Sequence, residues 1–265
     1  MESRTIRRDG TRLHGLWRPG RGDPILVVPG VMADAQSFAP VVEAISRAEP
    51  VLILDRRGRS PSGPLGEGYS VATEASDLTA WIDHLAGAVT LVGWSYGATI
   101  ALEVAATDKR VQEVVGYEPV LGPFGRDAMT ELRDADLNRR VEIVNLDISR
   151  FPQERVEALR SSPAWPTLCR LSEPLPDELA ALNAFRPKGT WSSIAAELIL
   201  GENNLDAEPY GPAFERVRTL LPHSTTTILP GQGHLAHVDA PAALGKLISE
   251  LITRTHQHPA ARGAF

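Results

Sequence analysis

A doubly wound α/β sheet interrupted by a helical insertion is the fold this sequence predicts, and three observations predict it. Six short runs are near-continuously apolar or β-branched, as strands covered on both faces must be. Helix-period patterns lie between them, which is the rhythm of a mostly parallel sheet with helices on both faces. That rhythm stops between about Leu121 and Pro187, where no strand-like run fits.

The elements follow in order. Residues 3–8 and 11–18 flank Asp9-Gly10, a hairpin signal, so the sheet is expected to begin antiparallel. The six buried strands are expected at 25–28 (ILVV), 51–54 (VLIL), 89–92 (VTLV), 111–116 (VQEVVG), 196–200 (AELIL) and 225–229 (TTTIL). With the hairpin they make an eight-stranded sheet. Helices are expected at 38–48, where Val41, Val42 and Ile45 share a stripe, and at 73–85, where Leu78, Trp81, Ile82 and Leu85 do. A small-residue helix is expected at 96–105 and a closing helix at 241–253. In the interruption, charged helical patterns at 126–138, 153–160 and 177–185 are cut by Pro152, Pro163, Pro166, Pro174 and Pro176. A structureless loop of that length is uncommon in a compact domain, so the stretch reads as a helical cap over the C-terminal edge of the sheet. The organisation is then core at 1–120, cap at 121–187 and core again at 188–265. The tail after Arg254, which holds His256 and His258, is polar and expected to fray.

Composition excludes several classes of function. The 265 residues carry 33 acids and 27 bases, a net charge of −6, which argues against nucleic acid as a partner. The one cysteine, Cys169, permits no intrachain disulfide and no zinc cluster of thiolates. The N-terminus, Met1-Glu2-Ser3-Arg4, has no apolar h-region, and no apolar run approaches the roughly 20 residues of a membrane helix. A cytoplasmic protein without a membrane partner is expected.

Chemistry enters after the run at 89–92. Gly93-Trp94-Ser95-Tyr96-Gly97 is G-x-S-x-G between a strand and a helix, the context that gives the motif meaning. Ser95 on a tight turn would project its hydroxyl above the sheet. Gly93 and Gly97 would let strand and helix approach closely. The helix N-terminus would set N–H groups and a positive dipole end beside a reacting carbonyl oxygen. Here the chain resembles the α/β-hydrolase family over nearly its whole length. Val27-Val28-Pro29-Gly30 is similar to the family's strand ending in His-Gly, with Pro29 in place of His. Asp55-Arg56-Arg57-Gly58-Arg59-Ser60 is similar to its D-x-R-G-x-G-x-S loop without the second glycine. Leu229-Pro230-Gly231-Gln232-Gly233-His234 resembles its histidine loop. The resemblance implies the α/β-hydrolase fold, a cap at this insertion point, and His234 as the general base. His237 is the near rival, and His14 and His84 read as solvated or packing residues.

The acid departs from the family pattern. The usual aspartate position, three residues after the glycine that ends the seventh strand, holds Asn204, which carries no charge. Glu118 stands at the C-terminal end of the preceding strand, where catalytic groups gather in an open α/β sheet. This placement is similar to that of zearalenone lactonase-like members, which carry a Glu-Leu-Pro segment there. A carboxylate so buried needs a partner, and the imidazole of His234 would supply one. Asp206 and Glu202 stay open as alternatives. The oxyanion hole is expected from the N–H of Tyr96 and of Val31, with Met32 as the alternative donor. Trp94, Phe124 and Trp165 are candidate pocket walls, and Asp34 could bond a substrate hydroxyl or cap its loop. Arg56, Arg57 and Arg59 form a basic cluster that could hold a substrate anion or be a solvated structural group.

Together these residues imply a serine hydrolase cleaving a carboxylic ester or lactone of a small organic molecule, with no metal or organic cofactor. C–C bond hydrolysis, thioester hydrolysis and a lyase or cyclase step remain open on the same fold. So does a receptor-like binding protein that has lost its acid. Serine rather than aspartate at position 95 argues against the alkylated-carboxylate chemistry of epoxide hydrolases and dehalogenases.

Overall fold

The structure, a computed structural model, describes residues 1–187 and 189–257. These form an eight-stranded sheet of order β1-β2-β4-β3-β5-β6-β7-β8. The strands are β1 (Glu2–Arg8), β2 (Thr11–Arg18), β3 (Ile25–Val28), β4 (Val51–Asp55), β5 (Val89–Trp94), β6 (Val111–Tyr117), β7 (Glu197–Gly201) and β8 (Thr225–Leu229). The β1–β2 and β2–β4 pairs are antiparallel, and every pair from β4 through β8 is parallel. The expected hairpin and six parallel strands are all present, with boundaries within two residues, but β8, expected to be buried, is the edge of the sheet and buries only Leu229.

Continuous apolar runs are needed because both faces are covered. Leu26, Val28, Leu52, Leu54 and Leu91 join one core cluster, with helices α2 (Val71–Leu85) and α3 (Tyr96–Ala105). Their neighbours Ile25, Val27, Val51, Ile53 and Val92 join the other, with α1 (Ala35–Glu43) and the closing helix (Pro241–Gln257). Successive side chains point to opposite faces, so an apolar residue is required at every position.

The helical insert lies between β6 and β7. It holds α4 (Met129–Asp134), α5 (Leu137–Glu142), a π-helical turn (Ile143–Ile148), α6 (Gln153–Arg160), α7 (Trp165–Leu171) and α8 (Leu175–Ala184). Of the prolines read from sequence as breaks, Pro152, Pro163 and Pro174 lie between helices, while the other two open helices instead. Pro166 and Pro176 occupy the first turns of α7 and α8, where the missing N–H costs nothing. Three further expectations are corrected. α1 starts three residues early and stops at Glu43, because Asp34 accepts from Ser37 N–H in a capping box. The closing helix runs to Gln257, past the expected end; His258 and the rest of the tail lie outside the described residues. Helix α9 (Tyr210–Arg218) was not anticipated, although Tyr210, Ala213, Phe214 and Val217 repeat at helical spacing and are buried. Among the described residues no helix is long and apolar enough to cross a membrane.

Candidate active site

The candidate nucleophile sits where the sheet meets α3. Ser95 has φ +55° and ψ −121°, a conformation sparsely used by residues with a side chain. Its N–H donates to the Tyr117 carbonyl of β6 (2.8 Å), which ties the strained residue to the neighbouring strand. Close approach explains the flanking glycines. A Cβ on Gly97 would lie 2.0 Å from the Val28 carbonyl oxygen, and one on Gly93 would lie 2.3 Å from Ala98 Cα. No other residue fits either position. Because α3 begins at Tyr96, its first N–H groups have no acceptor within the helix. The loop after β3 passes beside them: a Cβ on Gly30 would come within 3.1 Å of Ser95 Cβ.

Glu118 meets His234. Glu118 Oε2 and His234 Nδ1 are 2.6 Å apart, and both residues are buried. Glu118 has a left-handed φ of +42° and donates its own N–H to Ile199 of β7 (2.9 Å), so the backbone that aims it is held across the sheet. Its carboxylate also accepts from Gly201 N–H (2.8 Å) and from Asn204 Nδ2, at 2.8 Å to each oxygen. Asn204, at the usual acid position, therefore donates to the carboxylate that sits elsewhere. Sequence reasoning registered only that Asn204 lacks charge; its amide donors were the signal that could have linked it to Glu118. The alternative acids lie apart from the imidazole. Glu202 accepts from Gly231 N–H (2.6 Å), while Asp206 has φ +56° in an exposed turn.

The histidine loop is pinned from three sides. Trp94 Nε1 donates to the His234 carbonyl (2.9 Å), Tyr117 Oη to the Gly233 carbonyl (2.5 Å), and Asn203 N–H to the Gln232 carbonyl (2.9 Å). The Tyr210 ring stacks on the imidazole, with centroids 3.6 Å apart and planes at 11°. Its hydroxyl bonds Ser149 of the insert (2.8 Å), and burial pushes the phenol above its usual range, so it stays protonated. Nothing in the sequence marked Tyr210 beyond its aromatic type. His237, the rival base, lies behind Trp94, stacked on Phe38 at 4.8 Å. Burial, helped by His234, lowers its pKa to about 3, and its Nδ1 has no hydrogen-bond partner among the described residues.

The candidate wall residues divide. Trp94 packs its ring 4.7 Å from the imidazole, and Phe124 lies 5.7 Å from Tyr210. Trp165 donates from Nε1 to Asn138 within the insert (2.8 Å). Asp34 is engaged as the cap of α1, accepting from Ser37 N–H at 2.9 Å. The arginine cluster is neither solvated nor open to an anion. Arg57 pairs with Asp77, Arg56 with Glu74 and Glu178, and Arg59 with Glu178, all buried. Among the described residues no group of three His, Cys, Asp or Glu side chains could hold a metal ion.

Known proteins share this arrangement of elements. A relative from Bacillus subtilis (strain 168), provisionally named a 2-succinyl-6-hydroxy-2,4-cyclohexadiene-1-carboxylate synthase, is 26% identical over 255 residues, covering 89% of this chain and 92% of its own. N-formylmaleamate deformylase of Pseudomonas putida (strain KT2440) is 32% identical over 127 residues, covering 46% of this chain and 47% of its own. The crystal structure of an alpha/beta hydrolase from Sphaerobacter thermophilus superposes with a TM-score of 0.76 at 23% identity, covering 94% of this chain and 100% of the other. The model of the alpha/beta hydrolase family matches residues 13–246, and the chain belongs to that family.

Proposed function

We propose that the protein is a serine hydrolase that cleaves a carboxylic ester or lactone of a small organic molecule. The observation that carries this reading is the 2.6 Å contact of Glu118 with His234, made by a carboxylate that two further donors hold in place. A negative charge at Nδ1 sets the tautomer that leaves Nε2 free to accept a proton, and it stabilises the imidazolium that follows. Ser95 Oγ attacks the carbonyl carbon as His234 takes its proton. The N–H groups of Tyr96 and Val31 hold the tetrahedral oxyanion. His234 then protonates the leaving alkoxide, and water, deprotonated by the same imidazole, releases the acid from Ser95. Trp94 and Phe124 would offer an apolar wall. With Arg56, Arg57 and Arg59 already engaged by carboxylates, a substrate anion has no free partner among them.

A second reading rests on the relative that matches almost end to end and carries a synthase name. In it His234 would act as base for an elimination, with no acyl-enzyme. The binding-protein reading required a lost acid, and Glu118 argues against it.

One experiment separates these readings: labelling with a small fluorophosphonate, read by intact mass, on the wild type and on His234→Ala. A single adduct on Ser95 that disappears without His234 is the expected result. A folded protein that takes no label would transfer the argument to the synthase reading.

A further inference from the structure

The loop expected to supply the second oxyanion donor is gripped at both ends by two buried arginines that share one glutamate of the insert. Arg56 donates from Nε to the Pro29 carbonyl and from Nη2 to the Gly30 carbonyl, each at 2.8 Å. Arg59 donates from Nε to the Ala33 carbonyl (3.3 Å). Val31 and Met32 lie between these grips, and Met32 is bent to φ +58°, which a residue with a side chain keeps only when its surroundings over-determine it. Both guanidinium groups converge on Glu178 of α8: Arg56 Nη2 reaches Oε1 at 2.6 Å and Arg59 Nη2 reaches Oε2 at 2.7 Å. Arg56 also stands over the Tyr96 ring, 5.1 Å from its centroid, and pairs with Glu74, which accepts from Tyr69 (2.7 Å). One side chain thus touches both segments that would bear the donors. Glu178, Arg56 and Arg59 are all buried, so water does not compete for these contacts.

We propose that Arg56, Arg59 and Glu178 are positioning residues that hold segment 29–33 in the conformation that presents its N–H to the oxyanion, so that the helical insert completes the oxyanion hole. The inference rests on the ester reading for what the donor does, but the grip on the loop stands or falls separately. A fork of charged donors fixes a carbonyl pair in direction as well as distance, and lysine cannot reproduce it. An N–H released from its aim loses oxyanion stabilisation while ground-state binding is kept, so the loss appears in kcat rather than KM.

Arg56→Lys and Glu178→Gln test this. Removing one member of a buried ion group destabilises a fold. A third variant, Arg59→Met with Glu178→Met, therefore deletes an opposite pair together and leaves Arg56 with Glu74. Hydrogen exchange of the amides of residues 30–33, read by mass spectrometry, reports the loop whatever the reaction is. Turnover of p-nitrophenyl acetate, per Ser95 titrated with fluorophosphonate, reports the hole. The expected result is faster exchange confined to that segment, with kcat per site down about 10²-fold and KM within about threefold. Unchanged exchange, or kcat per site within about threefold of wild type, overturns the inference. A wild type that takes no phosphonate sinks the ester reading instead, and exchange alone then decides whether Arg56, Arg59 and Glu178 grip the loop.

Discussion

Two buried histidines in this molecule each hold a carboxylate at 2.6 Å through Nδ1: His234 with Glu118, and His14 with Asp55. The second pair even has a serine, since His14 Nε2 meets Ser3 Oγ at 2.7 Å. By residue type and contact, Ser3-His14-Asp55 is a complete triad at the antiparallel edge of the sheet. What differs is the backbone. Ser3 lies in the regular strand β1, exposed, and no helix starts at it. Asp55 gives its other oxygen to Ala35 N–H (2.7 Å), so the pair works as a tie between β2, β4 and the start of α1. Ser95 sits instead at a positive φ, capping the start of a helix, with the loop after β3 beside it. A hydroxyl, an imidazole and a carboxylate make a hydrogen-bonded chain anywhere. They make a nucleophile useful for acyl transfer only where backbone donors wait for the oxyanion.

The sharpest way to break this comparison is to remove each histidine. His234→Ala should lower ester turnover by about 10⁴–10⁶-fold. His14→Ala should leave kcat within about threefold and instead destabilise the fold by about 3 kcal/mol, because Asp55 is left buried without its imidazole. Steady-state kinetics beside urea unfolding would show both, and a large kcat loss in His14→Ala would undo the distinction. Next in size is the acid. Glu118→Ala should cost about 10⁴ in kcat, while Asp206→Ala stays near wild type; the reverse would move the acid to Asp206. Asn204→Ala removes the amide that donates to both oxygens of the buried Glu118 carboxylate, a contribution of about 1.5–3 kcal/mol, so kcat should drop about 10- to 100-fold with Glu118 still present.

The third histidine gives the smallest effect on activity and the clearest pH signature. His237 stays neutral in the folded protein down to about pH 3, whereas the unfolded chain binds its proton near pH 6.5. Between those values the unfolded state holds more protons, so stability falls as pH falls, by about 1.4 kcal/mol per pH unit from this group. His237→Phe should flatten that slope while leaving turnover at pH 8 close to wild type. Urea unfolding at pH 7 and pH 5 on both proteins measures it, and equal slopes would refute the burial argument.

Much of the fold was legible because strands covered on both faces must be apolar throughout, and the run at Ile25–Val28 marks its strand to the residue; Thr225–Leu229 was legible for another reason, the β-branched side chains of an exposed edge strand. The turn at Ser95 was legible because close packing leaves only glycine at positions 93 and 97. What escaped has physical reasons. Pro166 and Pro176 read as breaks because sequence alone does not separate a helix's first turn from its middle. Helix α9 was hidden by Gly211 and Pro212 in its first turn, despite its apolar stripe. The partners of Arg56 and Arg59 could not be read because Glu178 lies about 120 residues away, on a helix whose placement only the tertiary fold decides.

Placing Glu118 ahead of the helical insert changes what can be exchanged in such a chain. Ser95 and Glu118 follow adjacent strands, paired Gly93 to Gly116 and Trp94 to Tyr117, with no insertion between β6 and Glu118. The segment from 121 to 187 can then lengthen, shorten or be replaced by another without altering the spacing of Ser95 and Glu118. The contacts of Glu118 with Ile199, Gly201, Asn204 and His234 do span the graft, and β7 and β8 re-register them through their own ladder. The ties the insert would have to keep are few: Glu178 for Arg56 and Arg59, and Ser149 and Phe124 for the Tyr210 ring that stacks on His234.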